Sequence, residues 1–184
     1  MIRSPEGIRI SQRHYVLSML FKFRMANCKS ISTPVDRNMK LRRDSGQACD
    51  ATRFQQIVGN LIYLTITRTD LSYSIGLISQ YMSQPKAENL QCAQGILRYV
   101  SSTKDRALLY RTGIAKQLVG YMDADWAGNV GDRKSTSRFT ISLGSTAIPW
   151  SSKKQSTIAL LSTETEYRGA VVATCKAIWA EKAT

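Results

Sequence analysis

Between Phe54 and Val100 the apolar residues fall at helical spacing, and from about residue 107 to residue 151 they alternate, a switch that commits the chain to helices first and a sheet second. Phe54, Ile57, Val58, Leu61 and Leu64 make one stripe, Leu71, Ile75, Ile78 and Met82 a second, and Leu90, Ala93, Leu97 and Val100 a third. They predict a bundle of three helices of ordinary length. Thr69-Asp70 is expected to cap the second helix, and Gln84-Pro85 to end it and open the third. After Ser102, segments 107–111, 117–125, 137–143 and 146–151 carry the β-branched, aromatic and alternating residues of strands, clearest in Phe139, Ile141 and Leu143. Gly144-Ser145 supplies a two-residue hairpin turn with glycine first. A last helix is expected from about Thr163, with Tyr167, Ala170, Val171, Thr174 and Ile178 on one face.

Upstream of the bundle, residues 7–10 read as a short strand, and Ser11 is placed to cap a helix over 12–24. Val16, Met19, Leu20 and Phe23 give that helix a buried stripe. The same stretch, with Arg3, Arg9 and Arg13 before the apolar run 15–21 and Ala26, Cys28 and Ser30 after it, is a weak version of a secretory signal. Lys22 and Arg24 interrupt the run, and both readings stay open. Residues 28–50, with Thr33-Pro34, Lys40-Leu41-Arg42-Arg43 and Asp44-Ser45-Gly46, read as an exposed connector. The expected organisation is α+β: a strand, helix and basic connector over 1–50, a helical bundle over 51–105, and a small sheet with one helix over 106–184. The apolar stretches are far shorter than the roughly 20 residues that span a bilayer, so no membrane contact is expected. Cys28, Cys49, Cys92 and Cys175 are scattered and His14 is the single histidine, which argues against zinc and for reduced, buried thiols.

The formal charge is +13, and it is uneven. Residues 1–50 carry 10 Lys and Arg against 4 acids, 51–117 carry 8 against 3, and 118–184 carry 8 against 6. Solubility alone would be served by a balanced surface. A cation excess of this kind instead favours a polyanion partner, held by release of counterions from a phosphate backbone.

Strings along nearly the whole chain carry a family likeness: residues 7–12 (GIRISQ), Cys28-Lys29 with Thr33-Pro34, residues 58–65 (VGNLIYLT), Thr67-Arg68-Thr69-Asp70, and Ile96-Leu97-Arg98-Tyr99. Further on stand residues 120–128 (GYMDADWAG), 132–137 (DRKSTS), 149–155 (PWSSKKQ) and 162–167 (STETEY). In this order they resemble the C-terminal part of the Pol polyprotein of Copia-type retrotransposons. The resemblance implies that the bundle corresponds to the thumb and connection of a reverse transcriptase. It implies that residues from about 116 begin a ribonuclease H fold, expected here as a truncated three-stranded sheet with one helix.

In that family the polymerase aspartates lie upstream of the segment matched here, so polymerase chemistry is not expected. The nuclease uses two Mg²⁺ ions held by about four carboxylate-type ligands. By resemblance Asp123 is the first ligand and Glu166 the second, with Asp125 on the same strand face as a helper. The later ligands are expected beyond Thr184, so the site is expected to be incomplete, with no cofactor bound and no hydrolysis by this chain alone. The resemblance also implies that Lys153 and Lys154 face the hybrid; Arg133, Lys134 and Arg98 are further candidate nucleic-acid contacts, and by charge the expected partner is an RNA–DNA hybrid or another nucleic acid. Blander roles compete: Thr163 through Glu166 also fits a helix capping box, Asp123 fits a strand-end turn, and Lys153-Lys154 fits a solvated turn. Arg138 where the family usually has glycine, Thr69 for its usual proline, and Leu90-Gln91 in place of a usual histidine all point to relaxed constraint.

Copia-derived chains of this kind also resemble secreted RxLR effectors of downy mildew oomycetes, generally assigned to suppressing plant cell death. The signature string is degenerate here, as Met39, Lys40, Leu41 and Arg42. Three expectations follow: a non-enzymatic, intracellular retroelement remnant that acts by binding nucleic acid, a secreted protein delivered to the cytoplasm or nucleus of a host plant cell to bind host proteins there, or a fragment of a longer, active Copia-type reverse transcriptase and ribonuclease H that binds RNA–DNA hybrids.

Overall fold

The computed structural model describes residues 1–36, 41, 46–115, 117–128 and 132–182. The expected α+β fold is present, as five α-helices and two three-stranded antiparallel sheets among the described residues. They are divided between two compact units, Ser11–Ala107 and Met1–Ile10 with Leu108–Thr184. No helix among the described residues is long and apolar enough to cross a membrane.

The helical unit contains α1 (Arg13–Lys22), α2 (Ala51–Leu64), a single 3-10 turn (Thr69–Leu71), α3 (Ser72–Ser79) and α4 (Ala87–Ser102). Helix α2 starts where Asp50 Oδ1 accepts the Arg53 N–H at 3.0 Å, and α4 where Asn89 Oδ1 accepts the Lys86 N–H at 2.7 Å. The three stripes read from the sequence are buried together, with Phe54, Leu61, Leu64, Ile78 and Leu97 sealed from solvent. Each such side chain contributes about 1.5–3 kcal/mol. Val16, Met19, Leu20 and Phe23 of α1 lie in the same core, so α1 belongs to the bundle rather than to a separate N-terminal segment.

Two capping expectations are corrected. The residue before α1 is Gln12, with Ser11 Oγ accepting only the Arg13 N–H at 3.1 Å. Asp70 caps nothing: its carboxylate accepts hydrogen bonds from Arg68 at 2.9 and 2.8 Å, from the Tyr99 hydroxyl at 2.9 Å and from Arg106 at 3.1 Å. Arg68, only 4% exposed, also donates to the carbonyl and hydroxyl of Thr103. The charge that was available for a helix start ties the 3-10 turn to the end of α4 instead. The connector is not uniformly exposed either. Leu41 is 7% exposed and its carbonyl accepts the Tyr81 hydroxyl at 2.9 Å, whereas Met39, Lys40 and Arg42 lie outside the described residues.

In the other unit, β1 (Ile2–Ser4), β2 (Gly7–Ile10) and β3 (Leu108–Arg111) form one sheet, and β4 (Leu118–Asp125), β5 (Thr136–Leu143) and β6 (Thr146–Lys154) the second. Strand β1 has no counterpart in the sequence reading because three residues show no periodicity. It is fixed by pairing, Ile2 with Arg9 and Ser4 with Gly7. The hairpin between β5 and β6 turns at Gly144-Ser145 as expected, and pairing continues to Thr136 and Lys154.

Helix α5 (Ser162–Lys182) packs on β4 and β5, but not by the face its large residues predict. Tyr167, Val171 and Ile178 are exposed, while Thr165, Gly169 and Ala180 are buried. A Cβ on Gly169 would stand 2.9 Å from Met122 Sδ. The helix lies too near the sheet for large side chains, so its small residues make the contact. The four cysteines are unpaired, and of the expected buried thiols only Cys92 is fully buried, its pKa pushed up by burial to about 11.

Candidate functional site

Strand alternation puts Asp123 and Asp125 on one face of β4. The register of β4 with β5 sets Arg138 directly opposite Asp123. One guanidinium therefore faces both acids, with Nη1 3.4 Å from Asp123 Oδ2 and Nη2 3.8 Å from Asp125 Oδ2. The carboxylates are 68% and 46% exposed and the arginine 35%. The end of β4 is locked by a short polar chain. Trp126 Nε1 donates to the Ala159 carbonyl at 3.1 Å, the Ala127 N–H to Ser135 Oγ at 3.1 Å, and Ser135 Oγ shares a hydrogen with Thr165 Oγ1 at 3.1 Å. Gln155 adds bonds to Ser137 Oγ and the Thr165 carbonyl. Ser135 and Thr165 are wholly buried, so this network seats the start of α5 beside the acid-bearing strand.

Glu166 is exposed on α5. The capping role offered to it by the sequence belongs to Glu164, whose Oε2 accepts the Leu160 N–H at 2.9 Å and whose Oε1 meets Arg168 at 2.6 Å. Those two partners lower the Glu164 pKa. Among the described residues no group of three or more His, Cys, Asp or Glu is placed to hold a metal ion. A pair of Mg²⁺ ions needs about four hard oxygen ligands in near-octahedral arrangement. Here a cation of the protein already faces two of the three candidate acids. Asp123, Asp125 and Glu166 as arranged do not fit two Mg²⁺ ions.

Four of the cationic candidates lie in the sheet unit. Lys153 and Arg133 are exposed, Arg133 at a positive φ of 55°. Lys154 Nζ pairs with Asp132 at 2.6 Å, and the Lys134 N–H donates to the same carboxylate at 3.2 Å. Burial by itself would raise the Asp132 pKa, but these contacts, Lys154 first, outweigh it and hold the acid low. Arg98 lies in the helical unit and donates to the Lys29 carbonyl at 2.7 Å. A groove of about 440 Å³ opens between β5, β6 and α5, with Lys153, Lys154 and Arg168 at its rim and Phe139, Val171 and Val172 as its apolar wall. On the first sheet, Arg9 and Arg111 are exposed on a common face, Arg111 pairing with Gly7 two residues before Arg9.

Sequence reasoning named Arg138 only as a departure from the family, and it missed Ser135, Thr165 and Gln155. Strand alternation puts Asp123 and Asp125 on one face but does not say whether Arg138 shares it. The pairing itself depends on the loop between β4 and β5, which carries no periodic signal.

Comparison with known proteins gives relatives over almost the whole chain. It is 39% identical over 178 residues, 96% of its length, to the retrovirus-related Pol polyprotein from transposon RE1 of Arabidopsis thaliana. The chain spans only 12% of that polyprotein. It is 34% identical over 175 residues to an uncharacterized mitochondrial protein of the same plant, covering 73% of it. It is 46% identical over 124 residues, 66% of its own length, to the secreted RxLR effector protein 161 of Plasmopara viticola, covering 87% of that protein. No family model matches the chain. No solved structure matches it either.

Proposed function

We propose that this chain, which belongs to the Copia-type retrotransposon Pol family, acts by binding nucleic acid and does not cut it. The uneven +13 charge carries the reading, with Arg9, Arg53, Arg111, Arg133 and Lys153 open to solvent. Exposed cations of this kind grip phosphates with little sequence preference. An RNA–DNA hybrid is the polyanion of choice, because it is the nucleic acid the family resemblance implies. The arginine facing Asp123 and Asp125 supports the second half of the reading.

Fluorescence anisotropy with a labelled hybrid tests the binding, in EDTA and over 50 to 200 mM salt. If some six phosphates are contacted, affinity falls by about a thousandfold across that range. An affinity indifferent to salt rules the binding reading out. With Mg²⁺ present the hybrid is expected to stay intact; cleavage by the wild-type chain that disappears in Asp123→Asn overturns the claim that it does not cut.

The 46% identity to a protein named as a secreted effector favours a second reading, in which the chain is exported and acts on proteins of a plant host. Against it stands the burial of Val16, Met19 and Leu20, which makes the signal-like run at residues 15–21 part of a core. Fusing residues 1–30 to a secretion reporter tests it: export supports the effector reading, and retention counts against residues 1–30 as its signal.

A further inference from the structure

We infer that Arg138 is a resident counter-cation for the Asp123–Asp125 pair, a side-chain charge standing where a divalent ion would otherwise be drawn. The inference rests on the view that the chain does not cut nucleic acid, and it adds the cause: a positive charge in the site, over and above the number of ligands.

Three observations carry it. Asp123 and Asp125 share a strand face, so their charges add toward a common region of solvent. Arg138 is placed by backbone pairing, opposite Asp123 on β5, and β5 is itself paired on its other side with Ser152 of β6. The guanidinium is therefore delivered to the acids by a central strand of the sheet and not by a loop. Its two terminal nitrogens divide between the carboxylates, at 3.4 and 3.8 Å, within ion-pair distance of both acids. A divalent ion brought to either carboxylate would meet this fixed positive charge within a few ångströms and would have to displace it. A hard, strongly hydrated ion such as Mg²⁺ has too few ligands here to make up for that repulsion. Glycine or a neutral residue at position 138 would leave the same two acids without a counter-charge.

Mn²⁺ binding followed by electron paramagnetic resonance, with no nucleic acid present, tests the inference on the full chain. Arg138→Gln removes the charge and leaves a shorter, neutral polar side chain; Arg138→Lys keeps the charge. The neutral variant is expected to bind Mn²⁺ about tenfold more tightly than the wild type, as removal of one nearby charge in a partly solvated site allows. Arg138→Lys is expected to match the wild type, and Asp123→Asn placed in the Arg138→Gln background to abolish the gain. Circular dichroism of each variant confirms that the sheet is kept. Equal Mn²⁺ affinity in wild type and Arg138→Gln overturns the inference, as does a gain that survives loss of Asp123. Hybrid cleavage by the wild type would separately defeat the non-cutting view, whatever the Mn²⁺ titration gives.

Discussion

Asp70→Ala is expected to destabilise the helical unit by about 3 kcal/mol, the lower end of the cost of breaking a buried ion pair from one side. The carboxylate is the common acceptor for Arg68, Tyr99 and Arg106, and Arg68 is almost wholly buried. Deleting it strands a guanidinium that keeps only its bonds to Thr103. Urea unfolding followed by far-ultraviolet circular dichroism measures the loss as a lowered midpoint. Replacing both partners by apolar residues, Arg68→Met with Asp70→Leu, is expected to recover most of it, because no charge is then left buried. A midpoint unchanged in the single variant would show that the network adds nothing.

The same pair gives a pH dependence with a definite sign. Burial on its own would raise the Asp70 pKa, yet the hydrogen bonds and charge of Arg68, joined by Tyr99 and Arg106, bring it below its ordinary value of 3.8. A carboxyl whose folded pKa is depressed binds its proton more readily in the unfolded chain. Its contribution is therefore present above the unfolded value and is lost as pH falls through the folded one. The wild type is expected to lose stability in that acid range more steeply than the double apolar variant, which unfolding midpoints at a series of pH values will read.

Gly7→Ala is expected to cost about 3 kcal/mol and to break the pairing of β2 with β3. Gly7 has φ of +145°, a conformation that side-chain-bearing residues rarely take. A Cβ there would stand 2.0 Å from the Tyr110 carbonyl oxygen and 2.9 Å from the Arg111 Cα, both backbone atoms of the paired strand. Neither can move without loss of the register that sets Gly7 against Arg111. Amide exchange distinguishes this from general loosening: protection at Ile8, Ile10 and Tyr110 is expected to fall while that of α2 and α4 stays. Protection unchanged at β2 and β3 would contradict the close approach.

Much of the helical unit was legible because each stripe is a local property. The apolar positions of Val16 to Phe23, Phe54 to Leu64 and Leu90 to Val100 repeat within one helix, and burial follows the repeat. Asp70 was misread for a related reason. An acid before a helical stripe fits a cap by spacing alone, and only the arrival of Tyr99 and Arg106 from elsewhere in the chain, beside the neighbouring Arg68, gives it other work. Glu166 and Glu164 were exchanged likewise, since the true helix start at Ser162 shifts the capping position.

The sequence by itself determined the order of the helices and of strands β2 to β6, the core stripes of the helical unit, the hairpin at Gly144-Ser145, the excess of positive charge and the family likeness. Each is written in neighbouring residues or in sums over the chain. Only the tertiary structure decided that β1 and β2 join β3, that α5 meets its sheet through Gly169, and that Arg138 faces Asp123 and Asp125. Strand register and helix approach are fixed by contacts between segments far apart in sequence, and no local period encodes which distant residue arrives.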